Sequence, residues 1–142
     1  MSNQGAYYSA ESYLNGSSIA RKVVGQFDKS GFTVDFVNNG DDHYDPVTKT
    51  VSWDPSKAIR DTHGNTISPA LALYHEMVHG LGDKANSAAF DRRVNTPAGV
   101  FDNREEQRVI QRYENPAARQ LHEGIRDSHH GSIYTVFGVD QR

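Results

Sequence analysis

Apolar positions along the chain change period several times, and each change predicts an element. Ile19, Val23, Val24 and Phe27 recur at helical spacing, so residues 18–27 are expected to form an amphipathic helix, ended by Asp28-Lys29-Ser30-Gly31. Phe32, Val34 and Phe36 alternate along residues 32–37, the period of a strand. A polar turn cluster over residues 38–42 leads towards a second strand at 49–53, with residues 46–49 as the turn of a hairpin. Asp54-Pro55 closes that strand, and residues 56–67 read as a loop. In residues 68–82, Ser68 suits a helix N-cap and Pro69 the first helical position. Leu71, Leu73, Met77, Val78 and Leu81 then lie around most of a helix circumference, the pattern of a buried helix. Gly80 and Gly82 read as its end.

Beyond that helix, residues 83–101 read as a loop, long enough to be a lid or substrate-binding loop. Residues 104–114 are helical in character and are expected to stop at Asn115-Pro116. A short helix over 116–123 and a terminal strand over 132–139 follow. Residues 1–17, rich in Ser, Asn, Gly and Tyr, are expected to be irregular, with residues 18–142 as the folded domain. This order of elements predicts one small α+β domain with a small β-sheet. Residues 1–5 read as an added start on a domain cut from a longer chain.

Composition narrows the function classes. The chain has 142 residues, enough for one domain with a real core. It carries no cysteine, which removes disulfides, thiolate metal sites and cysteine nucleophiles together. A formal net charge of −3 without a basic run gives no footprint for nucleic acid. No apolar run approaches a membrane span or the core of a signal peptide.

The buried helix carries chemistry that is costly to bury. Its centre is His75-Glu76-Met77-Val78-His79, an HExxH pattern. Residues four apart share a helix face, so both imidazoles can reach one ion, and neutral imidazole is a good ligand for Zn2+. Glu76 falls beside the ion, where a general base for a metal-activated water is needed. A catalytic zinc site wants a third protein ligand, and without cysteine the candidates are His, Asp and Glu. Glu105 and Glu106 are adjacent on the next helix, so at most one can face the ion. Glu106 shares its face with Val109, Ile110 and Tyr113 and is the expected ligand, with Glu105 as the substitute. Glu105 could instead complete a capping box with Asp102, or Glu106 one with Asn103. Arg126, His129 and Tyr134 are candidates for stabilising developing negative charge. Asp54 is a candidate to orient a ligating histidine.

Taken together these stretches resemble the effector-type HExxH zinc metallopeptidases of bacterial secretion systems. That group includes injected type III effectors and toxin domains of type VI spike (VgrG) and Rhs proteins. The resemblance rests on residues 73–80 (LYHEMVHG), 103–110 (NREEQRVI), 113–116 (YENP), 124–126 (GIR) with 129–131 (HHG), and 50–55 (TVSWDP). It spans residues 44–131. It implies a zincin-like endopeptidase with His75, His79 and a Glu of the 105/106 pair on zinc and Glu76 as base. It also implies a protein substrate, a secreted or injected toxin or effector role, and a cognate immunity protein if the target is a rival bacterium. The rival expectations are a zinc hydrolase of a cell-wall amide, a non-catalytic binding module with a structural HExxH helix, and a fragment of a housekeeping protease.

Overall fold

The protein is described here by a computed structural model covering residues 2–142. It is a small single-domain α+β protein with two small sheets packed around one buried helix. Two helices come first, α1 (Asn3–Leu14) and α2 (Ser18–Asp28). The strands are β1 (Thr33–Phe36), β2 (His43–Asp45), β3 (Thr50–Trp53), β4 (Lys57–Asp61), β5 (Thr66–Ile67) and, near the end, β6 (Gly131–Thr135). Between β5 and β6 run α3 (Pro69–Ala85), α4 (Ser87–Val94), a 3-10 turn (Gly99–Phe101), α5 (Arg104–Val109), a π turn (Ile110–Glu114) and α6 (Asn115–Gln120).

The helix α3 is the axis of the core. Leu71, Leu73, Tyr74 and Met77 are fully buried, as an all-round apolar pattern predicts. Its N-terminus is built as expected, with the Ser68 hydroxyl accepting from Leu71 N and Pro69 in the first turn. The same hydroxyl donates to Glu123, which also accepts from Ser68 N and from the Tyr13 hydroxyl. One carboxylate thus ties the start of α3 to α1 and to the segment after α6.

The end of α3 corrects the sequence expectation. Gly80 and Gly82 do not stop the helix, which continues to Ala85. A Cβ on Gly80 would meet the Phe32 ring at 2.9 Å, and one on Gly82 would meet the Arg108 guanidinium at 2.4 Å. Both glycines are therefore sites of close approach inside a helix.

Residues 1–17 are not irregular over most of their length. Residues 3–14 form α1, whose inward face is Ala6, Ala10 and Leu14, buried against the core at a spacing of four. Two of its three residues are alanines, so the face carried little apolar signal. Residues 56–67 are likewise not a loop. They hold β4 and β5, and β4 pairs along its length with β6 from the far end of the chain, Lys57↔Thr135 to Asp61↔Gly131. The buried end of β4 is a carboxylate, Asp61, which accepts from His63 N, Asn65 N and Asn65 Nδ2 across the turn to β5. A strand that ends in a buried acid does not alternate as the strand template requires.

The first sheet has the order β1-β3-β2, with β1 parallel to β3 and β2 antiparallel to it across the expected turn. The second is antiparallel, in the order β5-β4-β6. Trp53, at the end of β3, is fully buried and donates to Pro69 O at 2.8 Å, seating α3 on the first sheet. Asp54 does not orient a histidine. It accepts from Gly40 N, Ser56 N and the Ser56 hydroxyl, and so serves the chain turn.

Residues 83–101 are not a simple loop either, because α4 lies within them, capped by Asn86 on Ala89 N. Phe90 of α4 is buried against Tyr44 and against His79. The helix of residues 104–114 does not end at Asn115-Pro116. It widens into the π turn and continues as α6, with Pro116 in the first turn of that helix. A π turn of this kind re-aims the side chains that follow it and is common at functional sites. No helix among the described residues is long and apolar enough to cross a membrane.

Candidate metal centre

His75 and His79 project from one face of α3, and their Nε2 atoms lie 3.0 Å apart. Glu106, brought in by α5, sets one oxygen 2.8 Å from His75 Nε2 and the other 3.0 Å from His79 Nε2. Its helix starts at Asn103, whose side chain accepts from Glu106 N. Glu106 is thus the third residue of the helix, but its carboxylate turns to the imidazoles rather than back to the cap.

The other nitrogen of each ring is held by a second acid. His75 Nδ1 is 2.8 Å from Glu114, and His79 Nδ1 is 2.7 Å from Glu105. An ionised carboxylate only accepts hydrogen bonds, so Glu114 and Glu105 hold a proton on each Nδ1. The two Nε2 atoms and the Glu106 carboxylate then face one point, which a proton or a metal cation can occupy. The two adjacent acids of α5 divide the roles, with Glu106 at the two Nε2 atoms and Glu105 behind His79. Glu105 makes no capping box with Asp102, because the helix is capped by Asn103 and the Glu105 carboxylate is taken by His79, Arg93 and Arg108.

The supporting acids are themselves neutralised. Burial raises a carboxyl, but Arg126 and His75 outweigh it at Glu114 and hold that group at about 2. At Glu105 burial is likewise outweighed, by His79, Arg108 and Arg93, to about 2. Glu106 is held far below the usual carboxylate range by the two imidazoles, against burial. Protons compete for the same nitrogens. Burial disfavours charge on the rings, yet Glu106 overrides it and raises His75 to about 10 and His79 to about 9. A metal bound at these nitrogens would displace those protons, so its affinity would fall as pH falls.

Glu76 is buried to 9 % exposure, and among the described residues no protein group donates to its carboxylate. It faces open space. A cavity of ≈ 500 Å³ is lined by His75, Glu76, Arg126 and His129 with Gly131 and Ser132 of β6. A second, of ≈ 290 Å³, is lined by Glu76, His79, Glu105, Glu106 and His129. Asp42, Glu76 and His129 line both.

Arg126 and His129, expected near the reacting atoms, are both brought to the centre. Arg126 is 3 % exposed, and its Nε and Nη2 bind Glu114. Asn115 grips its backbone at both N and O. The guanidinium thus holds Glu114 and also brings its Nη2 to 3.4 Å from His75 Nδ1. His129 Nε2 lies 3.2 Å from Glu106 Oε2, and its ring is parallel to that of His75. Tyr134 lies under the guanidinium of Arg60, and its buried hydroxyl has no hydrogen-bond partner among the described residues.

Sequence reasoning assigned no role to Glu114 and gave Asp102 only a capping role. Asp102 in fact accepts from His129 Nδ1 at 2.7 Å. Its backbone φ of 68° lies in the left-handed region, which a non-glycine residue enters at a cost in strain. The acid next to Asn115-Pro116 was the available signal for Glu114, but the π turn that aims it leaves no apolar pattern.

Compared with protein-family models, curated proteins and solved structures, the chain gives no match.

Proposed function

We propose that the chain is a zinc-dependent endopeptidase. The observation that carries this reading is the convergence of His75 Nε2, His79 Nε2 and the Glu106 carboxylate on one point, with both Nδ1 atoms held by acids. The donor set suits zinc, since it offers two neutral imidazoles, one carboxylate and no thiolate. When bound, zinc supplies a Lewis acid that polarises a peptide carbonyl and makes water more acidic. Every other task falls to the chain. Glu105 and Glu114 orient the two imidazoles and raise their basicity. Arg126 neutralises Glu114 and so keeps His75 in place. Glu76, with both carboxylate oxygens free of protein donors, takes the proton of the attacking water and delivers it to the amine that leaves.

The fold we propose for this site is zincin-like. The resemblance to secretion-system effectors supports a toxin or effector role, secreted or injected into a target cell, acting on a protein there. A rival-bacterium target would imply a cognate immunity protein.

Digestion of a peptide library by the zinc-loaded protein, read by mass spectrometry, tests the reaction. The expected products are new peptide termini at a restricted set of sites. No peptide cleavage, with release of stem peptide from purified cell wall, would replace the endopeptidase by an amidase.

A further inference from the structure

Three histidines, not two, are built in the same way around Glu106. His75 has Nδ1 on Glu114, His79 has Nδ1 on Glu105, and His129 has Nδ1 on Asp102, at 2.8, 2.7 and 2.7 Å. Their Nε2 atoms lie 2.8, 3.0 and 3.2 Å from Glu106 oxygens. A carboxylate on Nδ1 fixes the proton there, so neutral His129 also offers a lone pair at Nε2. A lone pair facing a carboxylate oxygen at 3.2 Å is repulsive unless a proton or a metal cation lies between them. In that tautomer His129 cannot donate a hydrogen bond to developing negative charge, but it can bind a metal. Ligand atoms of His75, Glu106 and His129 lie within 4.8 Å of one another.

We infer that His129 is a fourth ligand to the zinc, which closes the site at rest. This rests on the zinc reading above. A closed set of four protein ligands marks a structural site, whereas catalysis needs an open position. His129 is the ligand suited to leave. Its side chain is 33 % exposed, against 4 % for His75, 6 % for His79 and 17 % for Glu106. It sits on an irregular segment, while the other three sit on helices. Substrate must therefore displace His129 to reach the ion, and Asp102 sets how readily it does so by holding the ring.

Imidazole-nitrogen NMR of the zinc-loaded protein tests this, since the spectrum reports for each histidine which nitrogen carries the proton and which is metal-bound. The expected result is three rings with metal-bound Nε2, falling to two in His129→Ala. His129→Gln, closer in size, should give the same two. Two metal-bound rings in the unaltered protein, or three in both variants, would overturn the inference and leave the zinc reading intact. No metal-bound ring in the unaltered protein at full zinc loading would overturn both.

Discussion

Glu76→Gln leaves zinc bound and the fold intact, and lowers kcat/KM for peptide hydrolysis roughly 10²–10⁴-fold, the usual contribution of a positioned acid–base group. The expectation follows from what Glu76 does not touch. Among the described residues no protein group donates to its carboxylate, so an amide of the same shape disturbs no internal partner. It lies beside His75 and His79 without being needed as a third ligand, because Glu106 already spans both Nε2 atoms. What Gln lacks is the capacity to take a proton. Steady-state kinetics on a peptide cleaved by the unaltered protein, with zinc content measured on the same samples, check this. Retained turnover would remove Glu76 from the chemistry, and lost zinc would make it a ligand.

Arg126→Ala is expected to destabilise the protein by about 3–5 kcal/mol, the range for removing one partner of a buried ion pair. Glu114 is fully buried, and its two oxygens are shared between Arg126 and His75. Without the guanidinium, a carboxylate held at about 2 loses its main counter-charge and must be buried alone or protonated. Either outcome loosens His75. In a domain of this length the melting temperature should fall by roughly 10 °C or more. Thermal unfolding followed by circular dichroism measures it. A shift within a degree or two would mean that Arg126 carries no structural charge and would free it for a direct part in catalysis.

The start of α3 and the shared face of His75 and His79 were legible because the local signals agreed. Ser68 and Pro69 start it, the apolar residues bury it, and a spacing of four puts His75 and His79 on one side. Glu106 was legible for the same reason, as the acid on the apolar face of α5. What could not be read depends on how elements approach each other. Gly80 and Gly82 look like stops in isolation, and only the positions of Phe32 and Arg108 show that a Cβ would crowd the ring at one and displace the guanidinium at the other. A glycine inside a helix costs about 1 kcal/mol against alanine, which close packing here offsets. The role of Glu105 depends on where α3 crosses α5, and that of Glu114 on the extra residue of the π turn. The strand β4 has its partner, β6, more than a domain-half away in sequence, so no local period marks it. The helix α1 shows the complement, an inward face of two alanines and a single leucine, too little to stand out from a polar stretch.

The account stands on the metal. Elemental analysis of the purified protein, unaltered and His79→Ala, after the same exposure to zinc and removal of excess, tests it most directly. The account predicts close to one zinc per chain in the first and little or none in the second. No zinc in the unaltered protein would contradict it. The convergence of His75, His79 and Glu106 would then be a proton-filled network of charges holding α3 to α5.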